Sequence, residues 1–280
     1  MSYPSPRALL EKYGFRAKKS WGQNFLGDEE ILDHIARLAA REGEAVVELG
    51  AGLGHLTARL LARGARVTAV ERDRDMAAVL RGELGERVRL LEADAARLDY
   101  RALGGGVPVV VVGNLPYHLT SPILFSLLDQ AEVVARAVLL VQREVAERLC
   151  ARPGGKDWGL LSVLLQHRAA VTLERRVPAG AFLPPPKVES AVICARFGPP
   201  RDGVADEARF RRLVKAGFAQ RRKVLANALA AGRIVSPERL AAALAGAGID
   251  PRRRGETLSV EEWAALDRAL GQGGGEVASG

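Results

Sequence analysis

Val107-Pro108-Val109-Val110-Val111-Val112-Gly113-Asn114-Leu115-Pro116-Tyr117 is an apolar run that stops on a glycine, an amide, a proline and an aromatic ring. A run of this kind, bounded by turn residues, reads as a strand buried on both faces. Such strands lie in the middle of open parallel sheets, which hold their ligands outside the strands' carboxyl ends. Asn114 brings a hydrogen-bond-accepting side-chain carbonyl to that end. Pro116 removes a backbone donor and biases Leu115 to an extended conformation, which lets the Leu115 carbonyl point outward. Tyr117 adds a flat face for stacking. Two acceptors beside a ring suit a planar group with an exocyclic amine. Taken alone, the stretch is a plain turn after a strand; its neighbours in the chain change that reading.

Upstream, Ala45-Val46-Val47-Glu48-Leu49 reads as a strand, and Gly50-Ala51-Gly52-Leu53-Gly54 turns it into a helix over about 55–63. Small residues here let the backbone approach a ligand at a helix N-terminus. The spacing is G-x-G-x-G, and His55 stands where a dinucleotide fingerprint needs its last glycine, which weighs against a dehydrogenase. The next strand, Ala65 to Val70, ends in Glu71, placed to hold ribose hydroxyls. A third strand, Val88 to Glu92, precedes Asp94, which either accepts from an adenine amino group or caps a helix over 95–98. Asp28 and Asp73 read as caps of helices over 29–41 and 74–84. The segment Lys18 to Asp28 mixes basic, aromatic and amide residues without periodicity, as a loop offering Asn24 and Leu26 to a ligand.

Downstream, Thr120-Ser121-Pro122 starts a helix, Ala137 to Val141 is a strand, and Leu160 to Gln166 and Ala169 to Leu173 read as helix then strand. Three prolines stiffen Phe182-Leu183-Pro184-Pro185-Pro186-Lys187-Val188-Glu189-Ser190. Phe182 in this loop either stacks on a base or plugs the core. Ala191 to Phe197 is a closing strand, and 198–203 reads as a linker. Helices are expected over about 206–218, 220–231, 236–246 and 260–270, and disorder over 271–280. This gives a domain over 1–203 and a helical one over 204–280. The latter holds 13 Lys and Arg against 9 Asp and Glu, densest at Gln220-Arg221-Arg222-Lys223 and Arg252-Arg253-Arg254, good phosphate contacts.

The 280 residues carry a net charge of +8, with a pI near 9.9, which favours a polyanionic partner. Two cysteines, Cys150 and Cys194, make neither a disulfide framework nor a metal cluster, so no metal is expected. The first 19 residues lack the apolar core of a signal peptide, and no stretch approaches the ~20 apolar residues of a membrane span. A cytoplasmic protein is expected.

Glycine turn, ribose acid, second acid and N-L-P-Y, on successive strands, resemble the S-adenosylmethionine-dependent adenine-N6 methyltransferases. The match is closer still to the rRNA adenine N6,N6-dimethyltransferases. Lys19-Ser20-Trp21-Gly22-Gln23-Asn24-Phe25-Leu26 is similar to that family's K-x-x-G-Q-N-F-L element. Phe182 to Ser190 is similar to its F-x-P-P-P-x-V-x-S loop, and Phe218 to Lys223 to its F-x-x-R-R-K helix. The resemblance spans about 9–266 and departs from the family at His118, where asparagine is common, and at Trp21.

The resemblance implies a Rossmann-like class I methyltransferase domain with a seven-stranded, mostly parallel sheet, then a small all-helical domain contacting RNA. It implies cofactor contacts at Asn24, Leu26, Gly50, Gly52, Glu71, Asp94 and Asn114, with S-adenosyl-L-methionine as cofactor. Asn114, Leu115, Pro116, Tyr117 and Phe182 would handle the target base, and Lys187, Arg221, Arg222 and Lys223 the RNA. The implied substrate is a pair of adjacent adenosines in the 3′-terminal hairpin of 16S rRNA, in an immature 30S subunit, each dimethylated on N6 by a monomer. The rivals are an antibiotic-resistance methyltransferase acting on large-subunit rRNA, a DNA adenine methyltransferase, and an assembly factor that works mainly by binding. The P-P-P loop and R-R-K helix favour the small-subunit target, and no DNA-reading segment is evident.

Overall fold

A computed structural model of the chain describes residues 3–18, 21–200, 203–220 and 222–272. The chain divides into two compact units, Met1–Ala146 with Ala170–Gly198, and Glu147–Ala169 with Pro199–Gly280.

In the first unit, β1 (Ala45–Leu49), β2 (Arg66–Val70), β3 (Arg89–Leu91), β4 (Val109–Asn114), β5 (Val134–Gln142), β6 (Ala169–Val177) and β7 (Ser190–Phe197) form one sheet, ordered β3-β2-β1-β4-β5-β7-β6. The pairs from β3 to β5 are parallel, and β7 runs antiparallel to β5. This is the seven-stranded, mostly parallel sheet that the resemblance implies. The valines of β4 are buried on both faces, as their unbroken run requires. The chain leaves β1 toward β2 and β3, then returns to β4 on the other side of β1. The carboxyl ends of β1 and β4 therefore flank a topological switch point, where open α/β sheets bind ligands.

Local sequence explains the pieces that frame this point. The helix Glu29–Ala39 begins where Asp28 accepts from the Ile31 N–H at 3.0 Å, and buries Ile31, Leu32, Ile35, Ala36 and Ala39. Asp73 caps Arg74–Leu84 through the Asp75 N–H at 3.0 Å. Register puts Glu48 opposite Val112 and Leu49 opposite Val70. A Cβ on Gly113 would stand 2.5 Å from the Leu49 carbonyl oxygen, so only glycine lets β4 pass β1 at this height.

The second unit is helical: Leu160–Arg168, Glu207–Ala219, Leu225–Ala231, Pro237–Gly246 and Val260–Gln272. Buried Asp267 accepts from the Ala205 and Asp206 N–H groups, at 2.7 and 3.0 Å, and from Arg209 Nε at 2.7 Å. Segment 147–169 lies in this unit, not with 1–203 as sequence reading placed it. Trp158 Nε1 donates to the Leu258 carbonyl, and His167 Nε2 lies 3.0 Å from Glu207 Oε2. Two further readings are corrected. No helix forms over 95–98, and the helix expected from 220 begins at Leu225. Gly271 and Gln272 complete a helix, while the rest of the expected disordered tail, 273–280, lies outside the described residues.

Candidate active site

The carboxyl ends of β1, β2 and β4 open into a cavity of about 390 Å³. That is a size typical of small-molecule sites. Gly50 and Gly52 come from the turn after β1, Glu71 from the end of β2, Asp94 from beyond β3, and Asn114 to His118 from β4 onward. Trp21 and Asn24 close the cavity from the N-terminal segment.

The glycine turn is left-handed three times, with φ of +67° at Gly50, +55° at Gly52 and +83° at Gly54. A Cβ on Gly50 would meet only the Asn114 carbonyl oxygen, at 3.8 Å, and would otherwise fill the cradle. Glu71 holds this turn in shape. Its Oε2 accepts from the Gly52 N–H and its Oε1 from the Asp73 N–H, both at 2.8 Å. The Arg72 N–H adds a third backbone hydrogen bond to this carboxylate. Burial pushes the Glu71 pKa upward. Asp94 faces the same end of the cavity, and its Oδ1 accepts from the Ala96 N–H at 3.0 Å, which makes a turn of the expected helix.

At the other end, Asn114 Nδ2 donates to the Asn24 backbone carbonyl at 2.8 Å. A carbonyl can only accept, so the amide nitrogen must face it, and Oδ1 is left as the accepting corner. Leu115 is tied by its N–H to the Leu140 carbonyl of β5 at 3.1 Å. Tyr117 Oη lies 2.9 Å from Oγ of fully buried Ser190, the first residue of β7. The tyrosine is thereby fixed at its tip while Tyr117, Pro116 and Leu115 line the cavity. Two carboxylates and an oriented amide oxygen beside a pinned ring form a set of hydrogen-bond acceptors suited to hydroxyls and amines.

Residues 14–270 match the family model described as "Ribosomal RNA adenine dimethylase". The chain belongs to this family of ribosomal RNA adenine dimethylases. The dimethylase is 71% identical over 280 residues to the "Ribosomal RNA small subunit methyltransferase A" of Anaeromyxobacter dehalogenans (strain 2CP-C), covering 96% of this chain and 99% of that one. The protein of the same name from Myxococcus xanthus (strain DK1622) is 54% identical over 270 residues, covering 95% of each chain. Among solved structures, a dimethyladenosine transferase from Plasmodium falciparum shares the fold, with a TM-score of 0.75 at 23% identity, over 89% of this chain and 98% of that one. The 23S rRNA methyltransferase ErmE aligns with a TM-score of 0.68 at 29% identity, over 89% of this chain and all of that one.

Of the residues that sequence reading offered to the cofactor, Asn24, Gly50, Gly52, Glu71, Asp94 and Asn114 line the dimethylase cavity. The Leu26 side chain does not; it lies in the core under the glycine turn. Phe182 is a correction. It is only 6% exposed and sits in the hydrophobic core, because Phe182–Leu183 pairs antiparallel with Phe25–Leu26. A ladder residue packed this way offers no face to a base, so the core reading of Phe182 holds. Lys187 is exposed on the first unit, and Arg222 and Lys223 on the second; Arg221 lies outside the described residues.

The structure also adds residues that sequence reasoning did not assign. Ser190 pins Tyr117, and its only signal was its place at the end of the proline loop motif. Gln23 Nε2 donates to Asp73 Oδ2 at 2.7 Å, tying the N-terminal segment beside the cavity. No spacing rule announces a contact across 50 residues. Among the described residues, no helix is long and apolar enough to cross a membrane.

Proposed function

We propose that this dimethylase transfers methyl groups from S-adenosyl-L-methionine to N6 of two adjacent adenosines in the 3′-terminal hairpin of 16S rRNA, acting in the cytoplasm on an immature 30S subunit. The observation that carries the proposal is the oriented Asn114 amide beside Tyr117, in the same cavity as Glu71 and Asp94. The 71% identity to a named small-subunit methyltransferase, against 29% to a large-subunit one, favours the 16S target.

When bound, the cofactor supplies an electrophilic methyl group on a sulfonium. The chain's own residues do the rest. Glu71 would hold the ribose hydroxyls, and Asp94 would accept from the cofactor's adenine amine. Gly50 and Gly52 let the backbone lie against the cofactor's tail. The N6 lone pair of the target adenine is delocalised into its ring, which makes it a poor nucleophile. Asn114 Oδ1 and the Leu115 carbonyl would each accept one N6–H, favouring a pyramidal nitrogen whose lone pair is freed from the ring. Tyr117 stacks on the base once it has left its helix. Catalysis is then positioning plus electrostatics, with the amine proton released to solvent after transfer. Exposed Lys187, Arg222 and Lys223 contact RNA phosphates, with Arg221 joining them in sequence, and the enzyme works as a monomer.

The test uses labelled cofactor and small subunits that lack the modification, followed by mapping of the methylated nucleotides. The expected product is two dimethylated adenosines in the 3′-terminal hairpin. Label only in 23S rRNA, or none with the wild-type protein, overturns the proposal. Asn114→Ala is expected to lower transfer at least ~100-fold, the scale on which removal of one transition-state hydrogen-bond partner acts, while cofactor still binds.

A further inference from the structure

The cofactor reading of the cavity leaves its one tryptophan without a part. Trp21 is 41% exposed yet lines the cavity. The other two tryptophans, Trp158 and Trp263, are buried in the second unit. An exposed indole is costly to leave in water, and here it is held in place. Lys18 Nζ lies 5.5 Å and Arg72 Cζ 5.7 Å from the ring centroid, within cation–π range. Lys18 is itself anchored, with Nζ 2.7 Å from Asp73 Oδ1 and 2.6 Å from Asp75 Oδ2. The Trp21 backbone N–H donates to the Lys18 carbonyl at 3.0 Å.

These anchors decide which end of the cavity the indole serves. Arg72 directly follows Glu71, and its Nη1 is 3.8 Å from Asp94 Oδ2. Asp73, which holds both Lys18 and Gln23, follows Arg72 and shares Glu71 through its own N–H. Through Lys18 and Arg72 the Trp21 ring is tied to the residues that carry the two carboxylates, while Gly22, next in the chain, faces His118. Resting on the cofactor reading above, we propose that Trp21 is a cofactor-recognition residue, whose indole packs on the purine nucleoside held by Glu71 and Asp94. Phosphate-bearing RNA has the same base chemistry, but the placement beside both acids favours the cofactor's nucleoside. The same anchors suit the task. Lys18 and Arg72 fix the ring before the ligand arrives, so little ordering is needed on binding.

The test uses the full chain and S-adenosylhomocysteine, the thioether left after methyl transfer, as probe. Calorimetry should show Trp21→Ala binding it about tenfold more weakly than wild type, the scale of one aromatic stacking contact. Trp21→Phe should restore most of that affinity. Tryptophan emission should change on titration of the wild type and stay flat with Trp21→Phe, since the remaining indoles are buried. Equal affinity of wild type and Trp21→Ala overturns the inference. So does emission that responds to a 16S hairpin oligonucleotide but not to the thioether, which would place RNA on the indole. Failure of the wild type to bind the thioether at all refutes the cofactor reading itself and this inference with it.

Discussion

Glu48 sits in the middle of β1, opposite Val112, and is 2% exposed. Its Oε2 has no hydrogen-bond partner among the described residues. It borders a small space beneath the glycine turn, together with His55 and Asn114. Burial, reinforced by the charge of Glu71, pushes its pKa from 4.5 to about 8. His55, held neutral by burial with a pKa of about 4, supplies no compensating positive charge. The folded chain therefore keeps the Glu48 proton over a range in which the unfolded chain has lost it. Stability contributed by this proton is fully present below pH 4.5 and falls by about 1.36 kcal/mol per pH unit until the folded carboxyl ionises near 8. Over that window the loss is roughly 5 kcal/mol. Glu48→Gln keeps the size and removes the titration. The variant should match wild type within about 1 kcal/mol at pH 5 and exceed it by roughly 4 kcal/mol at pH 9. Amide hydrogen exchange of segments 45–49 and 109–114, corrected for intrinsic rate at each pH, measures the local opening free energy. A difference between the two proteins that does not grow from pH 5 to pH 9 would refute the buried-proton argument.

Gly113→Ala forces a methyl group against the Leu49 carbonyl, a backbone atom held in β1, and is expected to cost about 3 kcal/mol or to displace Asn114. Urea denaturation and methyl transfer, measured together, read both outcomes; a stable, fully active variant would contradict the close strand passage. Asp267→Ala removes the acceptor for two backbone N–H groups and leaves the Arg209 side chain without its buried partner. A loss of about 3–5 kcal/mol is expected in the second unit. Emission from buried Trp158 and Trp263 follows that unfolding, and an unchanged midpoint would argue against Asp267 as its anchor.

Much of the site was legible because its determinants are local. The valine run of β4 declares a doubly buried strand, and the N-L-P-Y sequence that ends it declares where to look. The glycine turn and Glu71 were readable for the same reason. Left-handed backbone needs glycine, and the acid that ends the second strand reaches back to the turn and lines the cavity. Caps at Asp28 and Asp73 form as their side chains dictate. The reading faltered where a residue's role depends on what lies across space. Asp94 caps a turn where a helix was expected, and the next helix starts only at Tyr100, capped by Asp99.

By itself, then, the sequence determined the strands of the main sheet, the capped helix starts at Asp28 and Asp73, the place of the glycine turn and the family, since each depends on neighbours within a few positions or on an ordered set of motifs. Tertiary structure alone decided whether a side chain faces ligand or core. Phe182 is buried because Phe25–Leu26 pairs with it from far upstream. The Asn114 amide is turned by a carbonyl 90 residues away, and Tyr117 is pinned by Ser190 across 73 residues. The physical reason is that burial and hydrogen-bond partnership are properties of pairs. The pairs that shape this cavity are brought together only when the sheet closes.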